Sequence, residues 1–210
     1  MNQNYTKYAF TESVRKAQEK FGSRKSYEKM EKSGADQYLL SAREVSFIKN
    51  RDSFYMATVG ENGWPYVQFR GGPKGFIQIL DNQRLGFADF RGNMQYISTG
   101  NIEASGRAAL IILDYPTRRR LKIWAETEII DPGLHPGLLN TMAVKDYGAV
   151  IERIFVFHVK AFDWNCPQHI TPRYTVEEIR SGLMPEYPQL INDCTPDPHQ
   201  SSPPIKNPEK

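Results

Sequence analysis

Arg91, Asn93, Gln95 and Ser98, four residues whose side chains can hold an anion, follow one another in the run Arg91-Gly92-Asn93-Met94-Gln95-Tyr96-Ile97-Ser98. The run comes after two apolar stretches, Phe76–Leu80 and Leu85–Phe90, that read as strands. A strand that delivers an arginine and a glycine into a tight turn, then opens a helix behind an asparagine cap, aims several backbone N–H groups and a cation at one spot. That spot suits a phosphate. The helix dipole supplies about 0.3–1 kcal/mol and a hydrogen bond to a charged group about 1.5–3 kcal/mol, so a dianion needs several such contacts together. The plainer alternative is a capped helix after an exposed turn, with no ligand.

Other residues that could do chemistry are scattered. Arg118, Arg119 and Arg120 cluster at a turn, and Arg120 lies at period-two spacing from Lys122, so those two face the same side of a strand. A triple arginine at a turn also reads as a solvated loop. Gly71-Gly72-Pro73-Lys74-Gly75 allows a ligand to approach the backbone closely and equally suits a bare connection. His169 and Tyr174 are the candidates for proton transfer, although a lone loop histidine is more often a simple hydrogen-bonding residue. Cys166-x-x-His169 lacks the partner ligands of a structural zinc site.

Several elements must position these groups. Val14, Ala17, Gln18 and Phe21 keep helical spacing up to Gly22, and Ser41-Ala42-Arg43-Glu44 is a capping box for a helix over about Ala42–Arg51. From Ser53 the period becomes that of strands. Asn62-Gly63 joins Ser53–Gly60 to Trp64–Arg70 as a hairpin, with Pro65 fit only for a strand start or an open edge. After the Asn93-capped helix, ending between Gly100 and Ala104, the continuous apolar run Ala108–Tyr115 predicts a central strand buried on both faces. Leu121–Ile130 returns as its hairpin partner. Leu134–Val144 reads as a helix and Ile151–Trp164 as the last long strand, with Ile154, Val156, His158 and Lys160 on one face. Thr175 caps a short helix. The expected organisation is an N-terminal helical extension over 1–40, a domain over 41–182, and a Pro-rich, disordered tail over 183–210.

At 210 residues and 40% hydrophobic composition the chain can bury one sizeable core. A net charge of +3 is too weak to argue for nucleic-acid binding but tolerates an anionic ligand. No apolar run is long enough for a membrane span, the N-terminus lacks a signal-peptide core, and two cysteines make no disulfide framework. A reducing cytoplasm is the expected location. Six or more antiparallel strands with covering helices imply a mainly β, α+β fold, a closed or split β-barrel.

The segments SFYMATVGENGWPYVQF, LGFADFRGN, ALIILDYPTRRRLKIWAETEI and FDWNCPQHITPRY, in that order and spacing, resemble the pyridoxamine 5'-phosphate oxidase-like FMN-binding split barrels, in the branch of flavin-nucleotide-binding proteins. The resemblance implies FMN at a homodimer interface. It places Gln68, Phe69, Arg70 and the backbone of Gly71 and Gly72 along the flavin ring, and Arg91, Asn93 and Gln95 at the phosphate. Phe87, Ala88 and Asp89 would pass the ribityl chain, and Arg120 with Lys122 would approach the pyrimidine side. Trp164, His169 and Arg173 would come from the other subunit.

The chain departs from the oxidase itself. Its strand reads Gln68-Phe69-Arg70-Gly71-Gly72-Pro73 with Lys74 one place late, the arginine-lysine pair on the phosphate helix is missing, and His169–Arg173 keeps only the last arginine of the oxidase motif. The expectation is therefore FMN binding without pyridoxamine phosphate oxidation. A flavin-dependent oxidoreductase acting on a small substrate or a reduced nicotinamide is the first reading, and a non-catalytic flavin store or sensor the alternative. A third reading uses the barrel for haem, with His158 or His169 as axial ligand.

Overall fold

The computed structural model describes residues 4–33, 37–145, 147–165 and 168–182. Cys166 of the zinc reading and the tail over 183–210 lie outside the described residues. Among those described, no helix is long and apolar enough to cross a membrane, and no group of three His, Cys, Asp or Glu residues could hold a metal.

The alternating segments become one seven-stranded antiparallel sheet. β1 (Ser53–Val59) and β2 (Pro65–Gly71) form the first hairpin, with Gly63 taking the left-handed turn position at φ 82°. β3 is only Gln78–Ile79, because Phe76 and Ile77 are spent as buried anchors in the preceding loop. β4 (Arg84–Phe90), β5 (Arg107–Asp114), β6 (Arg119–Ile130) and β7 (Ile151–Asn165) complete an order β2-β1-β5-β6-β7-β4-β3. A bulge between Trp124 and Ala125 leaves Lys160 of β7 without a register partner.

The sheet curls so that its inner face encloses Phe54, Met56, Leu85, Phe87, Leu110, Ile112, Leu121, Ile123, Phe155 and Phe157 in one cluster. At about 25 cal/mol per Å² of apolar surface, these side chains dominate the folding energy. Two helices plug the barrel: α4 (Ala42–Lys49) through Phe47 and Ile48, and α5 (Ile97–Ser105) through Ile102. On the reverse side of β4 and β7, Ala88, Ile154 and Val156 pack against Met142 of α6 (Pro136–Met142). The short helix α7 is Val176–Arg180. This is a split-barrel architecture with flanking helices, one of the two barrel forms that the strand pattern implies and the one that the resemblance implies.

Burial of β5 differs from expectation. Its residues alternate, with Ala108, Leu110 and Ile112 buried and Ala109, Ile111 and Leu113 only half-buried. The apolar run predicts cover on both faces, but within one chain the outer face has incomplete cover. The N-terminal extension covers one part of it. α1 (Thr6–Ala9), α2 (Glu12–Lys20) and α3 (Arg24–Ser33) gather around Tyr5, which stacks on Trp124 of β6 at 5.8 Å and donates to Met30 Sδ at 3.1 Å. Burial first, then Asp163 and Tyr27, push the Tyr5 hydroxyl up to about 12. α3 comes from a stretch that reads as merely polar, since its apolar stripe is little more than Tyr27 and Met30.

α4 opens with the capping box read from the sequence: Glu44 Oε2 accepts from the Ser41 backbone N–H at 3.0 Å. Glu44 is buried, and its other oxygen accepts from Trp164 Nε1 at 2.7 Å, tying the helix to the end of β7. Burial alone would raise the Glu44 carboxyl, but hydrogen bonds from Ser41 and Trp164 prevail and hold it below its ordinary value. Its contribution to stability is then complete above the unfolded value of about 4.3 and is lost as pH falls through the folded one. Glu44→Ala is expected to cost about 2–3 kcal/mol in urea unfolding at neutral pH, from a lost cap and an orphaned indole N–H. The deficit should shrink on acidification below about pH 4; a deficit that ignores pH would show that the carboxylate is not the operative group.

Candidate functional site

β2 and β4 are not laddered to each other, so side chains bridge the gap at the barrel mouth. Gln68 and Arg70 point inward from β2 because Val67 and Phe69, alternating with them, point outward. On β4 the inward register Leu85, Phe87, Asp89 ends in a carboxylate, and on β7 the inward register Phe157, Phe155, Arg153 ends in a guanidinium opposite it. Arg70 Nη1 donates to Asp89 Oδ1 and Arg153 Nη1 to Asp89 Oδ2, each at 2.7 Å. The Arg70 guanidinium lies 5.9 and 5.8 Å from the ring centroids of Phe87 and Phe155.

A second layer of charge sits outside this one. Glu152 accepts from Arg153 Nη2 at 2.8 Å, from Arg91 Nε at 2.9 Å and from the Tyr96 hydroxyl at 3.2 Å. The Arg91 hydrogen bond holds the Glu152 carboxyl below its usual range. Burial pushes the Asp89 carboxyl up in spite of its two guanidiniums, and burial also lowers Arg70. Three guanidiniums against two carboxylates leave one positive charge unmatched, and the buried Arg70 Nε has no acceptor. A further anion would be welcome there.

The loop from β4 to α5 differs from the sequence reading. Asn93 does not cap the helix: α5 begins at Ile97, behind Tyr96 in the left-handed region with φ 53° and no side-chain cap. The Asn93 Oδ1 instead accepts from Gln95 N at 3.2 Å, a local turn that competes with helix formation and delays it. Met94 is also left-handed, at φ 58°. Two such non-glycine residues cost about 1–3 kcal/mol each and concentrate at functional sites. The helix runs on past the expected end to Ser105, where Gly106 closes it in the left-handed conformation at φ 63°. Its first-turn N–H groups thus carry no side-chain cap and open beside Gln68, whose Oε1 accepts from the buried Ser98 Oγ at 2.9 Å.

Gln68, Arg70, Asp89, Asn93 and Ser98 are therefore brought together, with Arg91 at the rim and Gln95 exposed beside Asn93. The cleft between them is small, about 30 Å³, room for a terminal group and not for a ring system. Phe87 and Ala88 flank the site in sequence, but their side chains belong to the two cores. Gly72 has a structural reason: a Cβ there would lie 2.8 Å from the Phe76 ring, and one at Gly71 would lie 2.9 Å from Phe69.

The remaining candidates stand elsewhere. Arg120 and Lys122 share the outer face of β6, across the sheet from Gln68 and Arg70, with Lys122 Nζ 3.1 Å from Asp163. Trp164 is held by Glu44 and stacks edge-on with Phe47 at 4.7 Å. Arg173 lies 4.9 Å over the Tyr115 ring with Tyr174 lining the same small cleft, and His169 is exposed. His158 is half-buried on β7, with Nε2 2.8 Å from Glu128 Oε1. Arg153 belongs to this cluster and is not singled out by the sequence. Its signal is a charge sitting in the register of the inward-facing Phe155 and Phe157.

The family model for pyridoxamine 5'-phosphate oxidase matches residues 40–165. The chain belongs to that family. No curated protein matches it. Among solved structures, a candidate pyridoxamine 5'-phosphate oxidase from Lactobacillus delbrueckii is 19% identical, with 61% of this chain and 96% of that one covered at a TM-score of 0.48. An FMN-binding protein from Syntrophomonas wolfei is 11% identical (58% and 86% covered, TM-score 0.45), and HupZ of Group A Streptococcus is 15% identical (64% and 100%, TM-score 0.45). The assignment rests on the sequence match, which spans α4, the whole sheet and the β4–α5 loop.

For this member of the oxidase family the shared carboxylate is the part most open to test. Asp89→Ala leaves Arg70 without an ion-pair partner and Arg153 with Glu152 alone, and should cost about 3–5 kcal/mol in urea unfolding. A loss below about 1 kcal/mol would show that the clamp is not holding β2 to β4.

Proposed function

We propose that the chain binds FMN and serves as a flavin-dependent oxidoreductase for a small substrate or a reduced nicotinamide. The observation that carries this reading is the β4–α5 loop, whose two left-handed residues open an uncapped helix N-terminus beside an excess guanidinium charge. Such a concavity suits a phosphate monoester. The residues fit the group: Arg153, Arg91, Asn93, Ser98 and the first-turn N–H groups would hold the phosphate. Family membership supports the same choice of cofactor.

The rest of the cofactor does not fit this small cleft and would lie along β2, near Phe69 to Gly72. Flavin supplies hydride or electron exchange at its ring when bound. This chain's part is to orient the ring and to present fixed cations, for which Arg120 and Lys122 remain the candidates; charges held in place stabilise a reduced, anionic ring with little reorganisation.

A second copy of the chain is part of the proposal. Val59, Val67 and Phe69 expose 50%, 60% and 57% of their surface on the outer face that continues into Ile111 and Leu113. An apolar sheet face of this kind suits an obligate homodimer, whose interface would exceed roughly 2,000 Å². Trp164, His169 and Arg173 would then serve the neighbouring copy's flavin. A flavin store or sensor differs only in lacking turnover.

Titration with FMN, followed by quenching of flavin fluorescence, is expected to saturate. Arg153→Met should weaken binding by about tenfold or more, the loss of one charge-assisted hydrogen bond, and an unchanged affinity would contradict the placement. Phe69→Asp should shift sedimentation from dimer to monomer, whereas an unaltered dimer would move the interface elsewhere. Repeated bleaching by a reduced nicotinamide followed by reoxidation in air is the expected sign of an oxidoreductase; a single bleaching without recovery would favour the store.

A further inference from the structure

A cleft of about 500 Å³ opens between α4, the β5–β6 turn and α7, and shares no residue with the Arg70–Arg153 site. Its cations are Arg43, Arg51, Lys74 and Arg119. The three arginines are braced by aromatic rings: Arg43 lies 4.4 Å from the Trp164 centroid, and Arg51 and Arg119 lie 5.2 and 5.6 Å from that of Phe47. Guanidiniums stacked in this way have less freedom to lose when they grip a ligand.

Their charge is under-matched. The buried Asp114 serves two of them at once, with Oδ1 2.7 Å from Arg51 Nη1 and Oδ2 3.7 Å from Arg119 Nη2, while Thr117 donates its hydroxyl to Oδ2. The buried Arg51 Nε has no acceptor. Among the described residues, Arg43 and Lys74 form no ion pair. Glu177 and Glu178 stand on the α7 wall, but Glu178 turns to its own helix start, accepting from Thr175 N at 2.8 Å, and neither reaches these cations within 4.0 Å.

We propose that this cleft binds the phosphate group of a small phosphorylated molecule, with Arg43, Arg51 and Arg119 as its ligands. Three guanidinium forks reaching from α4, its C-terminal flank and the β5–β6 turn suit the several terminal oxygens of a phosphate better than the two of a carboxylate. The volume falls in the range of small-molecule pockets and exceeds a bare ion, so the remainder of the ligand would sit beside Pro116 and Thr117. Its three arginines are distinct from the residues assigned to the flavin phosphate, although Trp164 borders this cleft through Arg43.

Trp164 reports on the site, because Arg43 stacks on it. In the full chain carrying Trp64→Phe and Trp124→Phe, titration with adenosine 5'-monophosphate should change Trp164 emission saturably, and sodium chloride at equal ionic strength should not reproduce the change. Arg119→Met should weaken the response by about tenfold or more, Arg119→Lys by less, and Arg153→Met not at all. An absent or non-saturable response, one matched by sodium chloride, or one lost in Arg153→Met overturns the proposal. If Arg119→Met does not fold, Arg119→Lys is read alone, and an affinity equal to that of the parent overturns it.

Discussion

The structure depends on one carboxylate. Asp89 accepts from Arg70 on β2 and from Arg153 on β7, and by doing so it joins an edge strand to the far side of a sheet with which it makes no ladder. A buried charge is costly unless it is paired and hydrogen-bonded, and here a single anion pairs with two cations, Arg70 near the rings of Phe87 and Phe155 and Arg153 over the ring of Tyr96. The position of Arg70 is thereby set by the core, and that of Arg153 by Asp89, Glu152 and the Tyr96 ring. The same residues that close the barrel also leave it with an excess of positive charge at its mouth.

What surrounds that clamp follows from it. The chain leaves β4 one residue after Asp89 and must turn within a few residues to lay α5 across the barrel, so Met94 and Tyr96 are forced into the left-handed region. The helix begins late and without a side-chain cap, and Arg153 lies against this opening, over the Tyr96 ring and donating to Thr99 Oγ1 at 3.3 Å. On the other side of β2 the alternation that turns Gln68 and Arg70 inward turns Val67 and Phe69 outward. An inward-facing guanidinium and an exposed apolar face are therefore two consequences of one strand register.

Much of this was legible in the sequence because it is local. The Asn62-Gly63 hairpin, the Ser41–Glu44 capping box, the shared face of Arg120 and Lys122, and the strand that runs into Arg91-Gly92-Asn93 all depend on neighbours a few residues apart. The start of α5 was misplaced because an asparagine can begin a helix or form its own turn, and only the path of the chain decides between them. Arg153 was passed over because its partner Asp89 is 64 positions away, although a charge in line with Phe155 and Phe157 was a visible anomaly. The β5 run reads as doubly buried for a related reason: its outer face is apolar, but nothing in a single chain's pattern says what lies on it. Gly72 has a reason invisible in the sequence, the close approach of the Phe76 ring, and this leaves a ligand beside its backbone neither favoured nor opposed.

The central claim is that a phosphate monoester is gripped as a dianion between Arg153 and the opening of α5. Phosphorus NMR of the protein loaded with FMN tests it directly. The account predicts a bound phosphate resonance that stays in the dianionic position as pH is lowered from about 8 to 5, whereas a free monoester protonates near pH 6. A bound resonance that titrates like the free ester would contradict it.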